Sequence, residues 1–166
     1  MTREPVFSHP GEGRTVAVVG DVYRFLAVGA QTGGRYALWE AVVFPGGGPP
    51  PHTHSREEES FYVLEGEITF YVGDDRIVAR AGASANMPPG VWHRFKNETD
   101  MPVKMLISVA PAGLEEMFLE VGQPTQPRAS AVPPTREEIE KLLAVAPCYG
   151  LKSACPIDCL GAGERA

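Results

Sequence analysis

Two of the four histidines in this 166-residue chain stand as His52-Thr53-His54, directly after a glycine and proline turn running from Pro45 to Pro51. Residues i and i+2 of an extended segment project to one face, so the two imidazoles can grip a single metal ion; on a helix they would point about 200° apart. Three acids, Glu57-Glu58-Glu59, open the next β-branched and aromatic run. If Phe61 and Val63 face inward, the two-residue period carries Glu59 inward with them and turns Glu58, Ser60 and Tyr62 outward. Glu57 and Glu58 then read as a solvated charge run, unless a one-residue bulge exchanges Glu58 for Glu59. The third histidine, His93, lies in Pro88-Pro89-Gly90-Val91-Trp92-His93-Arg94-Phe95-Lys96-Asn97, a turn feeding a short strand, with Phe95 and Asn97 sharing its inward face. Three imidazoles and one carboxylate suit divalent Fe, Mn, Co, Ni, Cu or Zn and leave one or two coordination positions open. Open positions point to catalysis rather than to a sealed structural site. His9 belongs to no such pattern and is expected at the surface.

Short strands must position these side chains. From Thr15 to about Ala110 the chain is a succession of β-branched and aromatic runs: Thr15 to Val19, Val22 to Val28, Arg35 to Phe44, Ser60 to Leu64, Glu67 to Val72, Arg76 to Arg80, Ser84 to Met87, Val91 to Phe95 and Val103 to Val109. Turn residues recur between them, which predicts an all-β sandwich or barrel. Gly73-Asp74-Asp75 closes one hairpin, and Gly33-Gly34 joins the second and third runs. After Pro111 the period changes: Leu114, Met117, Phe118 and Val121 recur at helical spacing. A second helix is predicted over Pro134 to Val145, where Thr135 and Glu138 have capping-box spacing ahead of Ile139, Leu142 and Leu143. Both helices are expected outside the barrel as packing elements, joined by a linker from Gly122 to Pro133. The chain thus divides into an N-terminal arm (1–14), a barrel (15–110), a helical extension (111–146) and a cysteine-containing tail (147–166).

Composition narrows the partners. A formal charge of -6 and a pI of about 5.2 leave no basic surface for phosphates, which argues against nucleic acid and anionic membranes and for a small molecule. Phe61, Phe70, Met87, Phe95, Met105 and Ile107 are expected in the core, and those that line a pocket favour an apolar or aromatic ligand. The first residues lack the apolar stretch of a secretory signal, and no run reaches about 18 apolar residues, so a soluble cytoplasmic protein is expected. Cys148, Cys155 and Cys159 form no CxxC pair and are expected as free thiols. Outward apolar residues such as Tyr62, Leu64 and Val72 predict a homodimer.

The spacings match two motifs without gaps. The pattern G-x5-H-x-H-x4-E-x6-G falls on Gly46, His52, His54, Glu59 and Gly66, and G-x5-P-x-G-x2-H-x3-N falls on Gly82, Pro88, Gly90, His93 and Asn97. In these motifs the chain resembles the cupin superfamily; its short intermotif segment, Glu67 to Ala81, resembles that of small single-domain cupins, and its flanking strands and two C-terminal helices resemble those of the quercetin-dioxygenase-like kind. The resemblance implies an antiparallel jelly-roll barrel of roughly six to eight strands around a tapered cavity. It also implies that His52, His54, Glu59 and His93 hold one divalent transition metal. The activity it suggests is a metal-dependent dioxygenase acting on a small enolisable or phenolic, flavonol-like molecule, with Glu59 also taking the substrate's hydroxyl proton. A non-catalytic small-molecule or sugar binder, or an isomerase or lyase that stabilises an enolate, are the alternatives on the same fold. The tail corresponds to nothing in this resemblance.

Overall fold

The computed structural model describes residues 4–126 and 132–154. Its strands are β1 (Thr15–Val18), β2 (Asp21–Ala27), β3 (Ala37–Val43), β4 (His52–His54), β5 (Glu58–Glu65), β6 (Glu67–Val72), β7 (Asp75–Arg80), β8 (Ser84–Met87), β9 (His93–Lys96), β10 (Val103–Ala110), β11 (Gln123–Pro124) and β12 (Leu151–Ser153). The helices are α1 (Gly29–Thr32), α2 (Leu114–Val121) and α3 (Arg136–Val145). The strands form two antiparallel sheets, one in the order β11-β1-β2-β3-β10-β5-β8 and the other β12-β4-β9-β6-β7. The fold is therefore all-β, with the helices a minor part.

Alternation of side chains builds the core. Along β3 and β10 every second residue is buried, and the inward set includes Trp39, Ala41, Met105 and Ile107. Sheets packed through such faces exclude water from both inner surfaces at once. Phe61 stands across from the other sheet, its ring 5.1 Å from Phe70 and 5.7 Å from Phe95. A second aromatic group fills one end of the barrel: Phe118 of α2 lies 4.8 Å from Tyr23 and 5.5 Å from Trp39.

Helix α3 begins as its sequence predicts. Thr135 Oγ1 accepts from the Glu138 amide, and Glu138 Oε2 accepts from the Thr135 amide at 2.7 Å, so two otherwise orphaned donors are satisfied. Three local features differ from expectation. A single helical turn, α1, precedes Gly33-Gly34, with Gly33 left-handed at its end (φ 67°). Val72, expected to point outward, is half-buried and packs against the core. The tail does not stand apart from the barrel either, since Leu151 pairs with His54 and Ser153 with His52, making β12 an edge strand on β4. No local periodicity announces a three-residue strand whose partner lies about a hundred residues upstream. Of the cysteines, Cys148 is exposed, and Cys155 and Cys159 lie outside the described residues. Among the described residues no helix is long and apolar enough to cross a membrane.

Candidate metal centre

Two sheets contribute to one cluster. His52 pairs with His93 across β4 and β9, while Glu59 comes from β5 of the opposite sheet, where Glu58, Ser60 and Tyr62 are exposed and Glu59, Phe61 and Val63 are buried. One ligand atom from each of His52, His54, Glu59 and His93 lies within 4.8 Å of the others. Glu59 Oε2 is 3.0 Å from His54 Nε2, 3.0 Å from His93 Nε2 and 4.0 Å from His52 Nε2. Donors bound ~2.1 Å from a common centre stand about 3 to 4 Å apart, and the three distances from Glu59 fall in that range.

The rings are aimed by what lies behind them. His52 Nδ1 is 2.9 Å from Pro50 O and His93 Nδ1 is 3.0 Å from Val91 O, so each ring donates to the carbonyl two residues before it and leaves Nε2 for the centre. His54 is different: both its nitrogens are buried without a well-directed hydrogen bond among the described residues, although Nε2 is close to Glu59. An ionised carboxylate facing such lone pairs needs a positive charge between them, supplied by a proton or by a metal ion. The donor set and the orphaned His54 nitrogens fit a transition-metal ion.

The electrostatics of the metal-free cluster follow. Burial lowers the His52 pKa to about 4, with the Glu59 charge opposing it. Burial alone would also lower His54, but the carboxylates of Glu57 and Glu59 outweigh it and lift the pKa to about 9. Burial would raise Glu59, yet hydrogen bonds from His54 and His93 and the charges of His54 and His52 outweigh it and hold the carboxyl down to about 2.

Glu57 corrects the solvated-run expectation, because it is fully buried. The bend of residues 55–57 lies off the alternation of β5 and turns Glu57 back toward β4. There Glu57 Oε1 accepts from Arg56 Nε at 2.8 Å, and Oε2 sits 3.7 Å from His54 Nδ1. The only sequence signal was its i+3 distance from His54 through a turn. Glu58 remains on the solvent face, hydrogen-bonded to Asn86 of β8. Asn97 is buried outside the cluster, donating to Val43 O and Met101 O and accepting from Thr99. It locks the turn that follows β9.

A cavity of about 90 Å³ lies over the cluster, with His52, His54 and Glu59 in its lining. Its other walls include Val18, Tyr23 and Trp39 from the barrel and Met117, Phe118 and Leu142 from α2 and α3. The helices, expected only to pack outside, thus roof the site. A helix face that walls a cavity carries the same apolar stripe as one that packs on a sheet, so periodicity could not tell the two apart. Asp21 was also missed. This carboxyl on the cavity edge accepts from the amides of Phe44 and Gly48, both at 3.0 Å, and burial raises its pKa to about 7. Gly48 (φ 121°) follows from the same tight loop, where an added Cβ would overlap the carbonyl of Phe95.

The chain is similar to known proteins over this same region. A family described as "Cupin domain" matches residues 39–109. Quercetin 2,3-dioxygenase of Bacillus subtilis is 22% identical over 152 residues, 92% of this chain, and the chain spans 45% of that relative's length. An RmlC-like cupin from Shewanella frigidimarina superposes with a TM-score of 0.59 at 21% identity, over 70% of this chain and 99% of that one. KdgF from a Halomonas species gives a TM-score of 0.59 at 13% identity, over 68% and 98% of the two chains. At these identities the two solved structures speak for the fold alone. Both motifs, the two-sheet barrel that brings them together and the family match across its central strands converge on one statement: residues 39–109 are a cupin domain.

Proposed function

We propose that the protein is a metal-dependent dioxygenase acting on a small enolisable or phenolic molecule. The observation that carries this reading is a cluster of three imidazoles and one carboxylate, of which His52, His54 and Glu59 line an apolar cavity. Held by His52, His54, Glu59 and His93, a divalent transition ion would supply Lewis acidity and a template for a substrate oxygen and for O2. Glu59 stays ionised throughout the neutral range and is the acceptor for the substrate's hydroxyl proton. Its low proton affinity makes that transfer favourable only from a strongly acidified hydroxyl. The apolar walls exclude water and hold the ring or alkyl body of the substrate. Similarity to a quercetin 2,3-dioxygenase supports the reaction class.

Cavity size narrows the substrate. A cavity of roughly 150 Å³ takes one benzene, so about 90 Å³ over the cluster is far less room than a flavonol needs and favours smaller molecules. Oxygen uptake by protein loaded in turn with Fe, Mn, Ni, Co or Cu, against catechols, small hydroxy-ketones and one flavonol, tests the proposal. Uptake is expected with the smaller compounds and least with the flavonol. Ligand binding without oxygen uptake for any loaded metal would replace the dioxygenase by a binder, and solvent-proton exchange without oxygen uptake by an isomerase or lyase.

A further inference from the structure

The three imidazoles of the cluster are not held alike. His52 and His93 each direct Nδ1 at a backbone carbonyl, Pro50 O at 2.9 Å and Val91 O at 3.0 Å. His54 Nδ1 instead faces Glu57 Oε2 across 3.7 Å, and both atoms are shut off from solvent without a hydrogen-bond partner among the described residues. Glu57 is anchored from its other side. Its Oε1 takes Arg56 Nε–H at 2.8 Å, and Arg56 Nη2 reaches Ala112 O at 3.2 Å, just ahead of α2. A gap of 3.7 Å is too long for a hydrogen bond. Yet two buried complementary atoms, each otherwise unpaired, are costly to leave apart, and a small ring rotation joins them.

Resting on the reading that the four residues hold an ion, we propose that Glu57 is a positioning residue of the metal centre, whose carboxylate accepts the Nδ1–H of His54 and turns His54 Nε2 toward the ion. A carboxylate behind an imidazole fixes which nitrogen carries the proton, aligns the ring and strengthens the other nitrogen as a donor. Neutral carbonyls behind His52 and His93 supply alignment with less gain in donor strength. Arg56 then has a defined part, since it holds the Glu57 charge in place and ties it to the entrance of α2. Glu57 itself touches neither ion nor substrate.

Co(II) titrated into the metal-free wild type, Glu57→Ala, Glu57→Gln and Glu58→Ala tests this, with calorimetry for affinity and visible absorption for the ligand field. Glu57→Ala is expected to bind about 10- to 100-fold more weakly with shifted bands. Glu57→Gln keeps an acceptor oxygen without the charge and should lose less than Glu57→Ala, while Glu58→Ala, on the solvent face, should match the wild type in both readouts. A merely structural Glu57 would lower the melting temperature and leave affinity and bands unchanged, a result that overturns the proposal. If Glu57→Ala does not fold, Glu57→Gln decides by the same criterion. A wild type that takes up no Co(II) would instead overturn the metal reading, and this one with it, and the wild-type titration alone separates that failure from a failure of Glu57.

Discussion

The floor and the roof of the cavity are built on different principles. The floor, made by β4, β5 and β9, concentrates three histidines and two buried carboxylates, whose charges set one another's protonation. The roof, made by α2, α3 and the chain leading into β12, presents apolar side chains such as Leu114, Met117 and Leu142. One region therefore decides what chemistry is available, and the other decides which molecule has room for it. The two are joined at β12, which pairs directly with the strand bearing His52 and His54.

The sharpest test of the floor is to remove a donor. His93→Ala is expected to abolish stoichiometric metal binding while circular dichroism still reports a folded barrel, because the hydrophobic core is large enough to stand without the ion. Full occupancy in that variant would show that the cluster is not the binding site. Glu59→Gln should weaken binding without abolishing it.

Acid should act strongly on the floor. The folded-state pKa of His54, about 9, lies above its unfolded value of about 6.5, so its pairing with Glu57 and Glu59 stabilises the metal-free fold fully below the unfolded value and is lost as pH rises through 9. A metal ion needs the opposite state and must displace that proton. Metal affinity should therefore fall about tenfold per pH unit from 9 downward and more steeply below about 4, where His52 also takes a proton. Calorimetry at pH 7 in buffers of different ionisation enthalpy should report about one proton released per ion. Release of none would contradict the charge assignment.

A cut in the roof should leave the floor intact. Met117 is buried in the cavity wall, and Met117→Ala should cost about 2–4 kcal/mol in urea unfolding while enlarging the ligand accepted. Metal stoichiometry should not change; if it does, roof and floor are not separable. The smallest effect is expected at the exposed neighbour of the cluster, where Glu58→Gln should shift stability by less than about 0.5 kcal/mol and leave metal binding as it was. Equal losses at Glu58 and Glu59 would show that the strand register is wrong.

Much of the floor was legible because its information is local. His52 and His54 share a face by strand geometry alone, and Glu59 follows from the alternation with Phe61 and Val63. Glu57 was not legible, because it sits in a bend where no period applies, and charge runs at such places are usually solvated. The roof was legible as helices but not as a roof. Leu114, Met117 and Phe118 advertise an apolar stripe, and a stripe does not name what it covers.

What the sequence by itself determined is the all-β class, the capped start of α3, and the residue types and spacings of His52, His54, Glu59 and His93, since each rests on a repeat of two or 3.6 residues or on neighbours a few positions apart. Only the tertiary structure decided that the acid and the histidines come from facing sheets, that Glu57 turns inward behind His54, and that α2, α3 and β12 wall a cavity of about 90 Å³. These depend on pairings across tens of residues, such as Leu151 with His54, whose register is set by burying both sheets at once rather than by any preference of the segments themselves.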